Sequence, residues 1–184
     1  MSMLRKSGSI FGAVLLTAIF SFVVGAKPAQ QGESRQQLER QVRHELVMLP
    51  YYGVFDNLAF SVNGNTVTLY GQVVRPTTRS SAERSVKRLQ GVARVVNNIT
   101  VLPLSRMDDN IRNATYRSIA RTGGLYRYLQ GGNPSLHIVV DHGHVTLEGV
   151  VDGRGDRTLA YMAANQVPGV FSVTNNLRVN GEIE

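Results

Sequence analysis

The sequence predicts an α+β protein made of two tandem α-β-β-α-β modules, each a small three-stranded mixed sheet with two helices on one face. Three observations carry this. First, a block recurs: Val67-Thr68-Leu69-Tyr70-Gly71-Gln72-Val73 is matched by Val145-Thr146-Leu147-Glu148-Gly149-Val150-Val151. The same offset of 78 carries Gly91-Val92 onto Gly169-Val170 and Asn97-Asn98 onto Asn175-Asn176. An offset this long means a duplicated domain rather than a solenoid of short units. Second, the apolar period in each copy switches from helical spacing to alternation and back. Third, each copy ends in a strand, helix, strand stretch whose length implies a crossover to a parallel strand.

Residues 1–26 read as a secretory signal peptide. Arg5 and Lys6 form a basic start, Ile10 to Val24 is apolar or small, and Val24-Gly25-Ala26 offers the small residues a signal peptidase needs. The run falls short of the roughly 20 residues that span a bilayer comfortably. An uncleaved anchor is the alternative. No cysteine follows the run, which argues against a lipoprotein. Cleavage after Ala26 takes the formal charge from +7 to +5 by removing Arg5 and Lys6. That mildly basic balance suits acidic lipids or polymers and does not by itself indicate nucleic acid. Without cysteine there are no disulfides, no thiol catalysis and no sulfur-ligated metal.

Residues 27–34 read as a polar tether, and 35–102 as the first module. Its first helix carries Leu38, Val42, Leu46 and Leu49 on one face and stops before Pro50. Leu58, Phe60 and Val62 alternate in the next strand. Asn63-Gly64-Asn65 turns, and Val67, Leu69 and Gly71 return. Gly71 inside a strand suggests a bulge or a close backbone approach. Pro76-Thr77-Thr78 opens the second helix with a threonine as N-cap, and Ala82, Val86 and Leu89 form its buried stripe. Gly91 ends it, and Val92 to Leu102 is the last strand.

Residues 103–107 are a short linker, so the modules are expected to sit close together. Residues 108–181 repeat the pattern: Ile111, Thr115 and Ile119 on the first helix, with Asp108 or Asp109 as its cap, then Leu136, Ile138 and Val140 in the strand. Ala160, Ala164 and Val167 match Ala82, Val86 and Leu89. The second copy is longer only between helix and hairpin, at Gly131-Gly132-Asn133-Pro134-Ser135.

Val-Thr-Leu-x-Gly in the return strands (67–71 and 145–149), followed by Gly91-Val92-Ala93-Arg94-Val95-Val96-Asn97-Asn98-Ile99-Thr100-Val101 and by Gly169-Val170-Phe171-Ser172-Val173-Thr174-Asn175-Asn176-Leu177-Arg178-Val179, is a recognisable signature. The chain resembles tandem BON-domain proteins of the osmotically inducible periplasmic protein Y family. The resemblance covers essentially all of the chain after residue 26. It implies a periplasmic or otherwise exported protein that binds phospholipid surfaces or envelope partners under osmotic or envelope stress. It brings no catalytic residues. The motif positions Gly71, Gly91, Asn97, Gly149, Gly169 and Asn175 are structural in this reading: the glycines admit tight backbone geometry and the asparagines bond local backbone.

No Gly-x-Ser-x-Gly, phosphate loop or His-Glu-x-x-His occurs, and the carboxylates are scattered, so no enzyme activity is expected. His142 and His144 flank a turn glycine and could hold a surface metal; turn polarity is the plainer reading, and no metal or other cofactor is expected.

Arg112, Tyr116, Arg117, Arg121, Tyr126, Arg127 and Tyr128 interleave arginine with tyrosine. That pattern suits an anionic membrane interface, where arginine meets phosphate and the tyrosine ring sits between water and hydrocarbon. The resemblance places lipid contact on this same first helix of the second module. A solvated face with one or two core tyrosines is the competing reading. Leu159, Tyr161 and Met162 stand where the first copy has Ser81, Glu83 and Arg84, so a polar face has turned apolar. Exposed apolar patches mark contacts, here packing against the first module, a separate protein partner or self-association. The leading expectation is a non-enzymatic envelope protein binding anionic phospholipid or envelope surfaces. The alternative is a protein-binding adaptor or chaperone-like periplasmic factor.

Overall fold

The structure is a computed structural model and describes residues 28–182. The stretch read as a signal peptide, with its cleavage site, lies outside the described residues. In the first module α1 (Pro28–Val47) is followed by β1 (Asn57–Asn63), β2 (Thr66–Val73), α2 (Pro76–Lys87) and β3 (Arg94–Val101). In the second, α3 (Arg106–Ala120) is followed by a 3-10 turn (Leu125–Tyr128), β4 (Leu136–Asp141), β5 (His144–Val151), α4 (Arg154–Asn165) and β6 (Ser172–Val179). Helix α1 begins at Pro28, inside the segment read as a tether. Proline is well placed at a helix start, and the alanine, glutamines and glutamate that follow favour helix.

Each sheet has its middle strand in the hairpin's return: order β1-β2-β3 and β4-β5-β6. The hairpin pairs are antiparallel and the β2–β3 and β5–β6 pairs parallel, which is the mixed sheet that the connection length dictates. Leu38, Val42, Leu46 and Leu49 pack with Val67, Leu69, Val73, Ala82, Val86 and Ile99 in one core. Ile111, Ile119, Leu136, Ile138, Val140, Leu147, Ala160 and Leu177 build the other.

Two capping expectations are corrected. Arg75 occupies the N-cap of α2 with no side-chain cap bond, and Thr78 is buried instead. At α3 the cap is Ser105, whose hydroxyl accepts from the Asp108 amide at 3.1 Å. Asp108 is thereby freed to reach the β4–β5 turn, where its carboxylate accepts from the His142 and Gly143 amides at 3.1 and 2.8 Å. Those two bonds hold His142 in its left-handed conformation, φ 50°.

Gly71 and Gly149 sit opposite Leu58 and Leu136 in regular register, with φ of 110° and 117°. A Cβ at either position would stand 2.0 Å from a carbonyl oxygen, that of Asn57 or of Ser135. This is close backbone approach, and it is identical in the two copies. Gly91 and Gly169 adopt φ of 90° and 88° in the turns after α2 and α4. Asn97 and Asn175 each do two jobs. Their Nδ2 groups donate to the helix carbonyls of Arg79 (3.2 Å) and Arg157 (2.9 Å), and their Oδ1 atoms accept from the amides of Ile99 and Leu177. Each asparagine therefore ties the last strand to the second helix of its module.

The modules meet through the loop between α1 and β1. Val54 accepts from the Ile138 amide at 2.7 Å along the free edge of β4, and Phe55 meets Tyr116 edge-to-face at 6.3 Å. Tyr52 OH lies 3.4 Å from Nε2 of His137, whose Nδ1 lies 3.3 Å from the Gly53 carbonyl. A carbonyl only accepts, so Nδ1 carries the proton and Nε2 accepts from the tyrosine. The sequence predicts modules close together, but not these residues as the contact. Its signal was Tyr51-Tyr52-Gly53-Val54-Phe55, an apolar run assigned to neither helix nor strand.

Candidate functional site

Helix α3 is amphipathic because Ile111, Thr115 and Ile119 recur toward the core. The same period sorts its cations. Arg112 falls on the inner side and is 2 % exposed. Its Nη2 donates to the Val140 carbonyl at 2.7 Å and its Nη1 pairs with Asp109 at 2.5 Å. Its Nε has no partner among the described residues. Arg112 is thus a buried tie between α3 and β4, unable to meet a headgroup without leaving the core. Tyr116 is half-buried against Phe55.

Arg117 and Arg121 lie on the outer side, exposed, and neither forms an ion pair among the described residues. The chain then turns through Gly124, φ 78°, into the 3-10 turn. Tyr126 projects from it, 48 % exposed. Tyr128 points the other way: it is buried, its hydroxyl donates to Asp156 at 2.7 Å and accepts from the Asp152 amide at 2.9 Å. Arg127 stacks over the Tyr128 ring, 4.4 Å from its centroid, and is neutralised by Asp156 (2.9 Å) and Asp152 (3.6 Å). Of the arginine–tyrosine stretch, then, Arg112, Tyr116 and Tyr128 serve the fold and Arg127 is paired. Arg117, Arg121 and Tyr126 remain open to solvent.

Helix α4 lies beside α3, clamped where Ser118 Oγ donates to the Ala163 carbonyl at 2.7 Å. Leu159 touches the segment after α3: its Cδ1 is 3.0 Å from where a Cβ on Gly123 would stand. Leu159, Tyr161 and Met162 are exposed, Met162 at 49 %. The expectation that they pack against the first module is corrected: the junction is built by Tyr52, Val54 and Phe55 on β4 and α3. The α3–α4 surface therefore carries two unpaired arginines together with Tyr126, Leu159 and Met162.

The histidines stay apart. His142 Nδ1 pairs with its neighbour Asp141 at 2.6 Å, while His144 Nδ1 lies 2.7 Å from Ser172 Oγ. Among the described residues no three His, Asp or Glu side chains gather as a metal site would require. No helix among them is long and apolar enough to cross a membrane.

Comparison with known proteins fits the internal repeat. The family model described as BON domain matches residues 34–103 and again 108–181. The chain belongs to the BON-domain family, with two copies in tandem. BON domains are associated with membrane or envelope interaction. No curated protein matches the sequence. One solved structure, the C-terminal domain of CdsD, described as the structural protein of the type III secretion system of Chlamydia trachomatis, aligns at 14% identity. It covers 77% of this chain and 96% of that chain, with a TM-score of 0.29. A second CdsD structure aligns at 12% identity over 79% and 94%, again with a TM-score of 0.29. A likeness at that score carries no argument about function.

Proposed function

We propose that this tandem BON-domain chain is a non-enzymatic, exported protein of the cell envelope that binds anionic phospholipid surfaces through the α3–α4 face of its second module. Kinship to the osmotically inducible periplasmic protein Y family, and with it a stress role, is part of the proposal. The single observation that carries it is that unpaired Arg117 and Arg121 on α3, Tyr126 after it, and Leu159 and Met162 on the adjoining α4 are all exposed. Cations meet lipid phosphate at about 1 kcal/mol per near-surface charge. The tyrosine and the two apolar side chains enter the boundary between headgroup and hydrocarbon.

A second reading has one specific observation behind it. Leu159 and Met162 would serve a protein partner equally well as an apolar contact, which makes the chain an adaptor. Co-sedimentation of envelope-recovered protein with phosphatidylglycerol and phosphatidylcholine vesicles separates the two. Lipid binding requires anionic vesicles, weakens progressively with salt as screening shortens to about 10 Å at 0.1 M, and is lost in Arg117→Glu/Arg121→Glu. If the wild type ignores anionic vesicles at low salt, the lipid reading fails and the adaptor leads.

A further inference from the structure

The junction between the modules is closed on one side only. Where Tyr52 to Phe55 dock on β4, it is filled. On the other side, α1 and β1 of the first module face the sheet of the second across an open cleft of about 700 Å³. Clefts of this size between domains are where small ligands bind.

The charge in this cleft is one-sided. Arg43 lines it from the first module, and Arg157 and Arg178 from the second. None of the three forms an ion pair among the described residues, although five other arginine or histidine side chains do. The lining acid is Glu148, and its carboxylate already accepts from Asn176 Nδ2 at 2.7 Å. Arg43 is steadied at the rim by Phe60, whose ring centroid lies 5.7 Å from its guanidinium carbon. Arg157 is anchored through its carbonyl, which accepts from Asn175. Three unpaired cations around one concave space focus a positive potential there. Guanidinium forks match the paired oxygens of a phosphoryl group, and amide side chains such as Asn57 and Asn133 add neutral donors.

We propose that the inter-module cleft is a binding site for a phosphoryl-bearing anion, held by Arg43 from one module and Arg157 and Arg178 from the other. It is separate from the α3–α4 face, and a ligand there bridges the two modules. The phosphoryl group could belong to a soluble phosphoester or to a lipid headgroup.

The test is calorimetric titration of envelope-recovered protein with inorganic pyrophosphate at low salt. One site per chain is expected, weakened at least tenfold in Arg43→Gln/Arg178→Gln and unchanged in Arg84→Gln/Arg88→Gln, a pair of exposed arginines at the end of α2 outside the cleft. Amide resonance shifts in the unsubstituted protein locate the site without any variant: they should centre on Asn57, Phe60, Asn133 and Ser135. No binding, several weak equivalent sites, equal losses in the two double variants, or shifts confined to other regions would each overturn the proposal. Phosphatidylglycerol vesicles then identify the source. If Arg43→Gln/Arg178→Gln also weakens vesicle binding, the occupant is a lipid phosphate; if vesicle binding is untouched, it is a soluble one. A wild type that binds pyrophosphate but ignores vesicles sinks the α3–α4 reading and leaves the cleft standing.

Discussion

The first strands of the two hairpins, β1 and β4, occupy the same place in the repeat and live in different surroundings. At the shared offset, His137 and Val139 of β4 stand where β1 has Ala59 and Ser61. Leu136, His137, Ile138, Val139 and Val140 are all buried, whereas Ala59 and Ser61 are exposed. Nothing inside the module explains this, because the helices cover one face only. The first module lies against this strand: Val54 bonds its edge and packs with Phe55 into the second core, while Tyr52 meets His137 on the outward side. A half-buried strand alternates; a strand buried on both faces reads as a continuous apolar run. Leu-His-Ile-Val-Val is such a run but for His137, which bonds Tyr52 and Gly53 across the junction, whereas Leu-Ala-Phe-Ser-Val alternates large with small. Duplication thus preserved the fold while the second copy specialised as the partner that is covered.

The largest expected effects fall where the copies are alike. Gly71→Val and Gly149→Val should each cost about 3–5 kcal/mol, since the Cβ meets a carbonyl at 2.0 Å and the backbone stays at positive φ. Chemical denaturation should show the same loss in both. A clearly smaller loss at one glycine would break the equivalence of the modules.

The next effect should be unequal. Val139→Ser is expected to cost about 1–2 kcal/mol by placing a hydroxyl at a position that is only 5 % exposed. Ser61→Val, its mirror in the first module, should stay within about 0.5 kcal/mol because that position faces water. Equal effects in thermal unfolding would mean that the outward side of β4 is as open in solution as that of β1.

The sequence made the repeat, the mixed sheets and most core positions legible because they rest on local periodicity, which a chain displays without its partner elements. The same periodicity could have sorted the arginine–tyrosine stretch. Arg112 lies one residue after Ile111 and three before Thr115, on the buried side of α3, and its burial follows from that phase. That exposed Arg117 and Arg121 stand on a helix adjoining the one that carries Leu159 and Met162 was not legible. It depends on α3 lying beside α4, a tertiary fact that no spacing encodes. The junction was hidden for the same reason: Val54 and Phe55 complete a core that belongs to the other module.

A smaller effect should appear with pH. Burial holds the His137 imidazole below its ordinary value near 6.5, with the carbonyls of Gly53, Asp56 and Pro134 acting against that shift. The unfolded chain therefore binds this proton more readily than the folded one, and stability rises with pH across the window below about 6.5. Acidification through that window should lower the thermal midpoint, and His137→Gln should flatten the slope. Tyr52, pushed up to about 12 mainly by burial and then by Asp56, stays neutral throughout and contributes no slope. Burial raises the Asp56 carboxyl from its ordinary 3.8, against the amides of Val74 and Gly53 and against Arg75 and Arg112. Its contribution has the opposite sign, favouring the fold more as the pH falls through its folded value. An unchanged slope in His137→Gln would place the titration elsewhere.

The smallest expected effect on stability is the most informative about function. Leu159→Ser/Met162→Ser should change the unfolding free energy by less than about 0.5 kcal/mol. Both side chains are exposed, and neither completes a core or the junction. In the first module the matching residues, Ser81 and Arg84, are polar at no evident cost to the same fold. An apolar pair exposed to water where the other copy is polar is what a contact surface looks like from the folding side. Were the pair packed against the first module in solution, truncating two large apolar side chains would cost several times more. The same double variant then sorts the functional readings. Weakened phosphatidylglycerol co-sedimentation beside an unchanged thermal midpoint assigns Leu159 and Met162 to the lipid boundary alongside Arg117 and Arg121. Unchanged co-sedimentation leaves lipid contact to charge and Tyr126 alone, and gives the apolar pair to a protein partner.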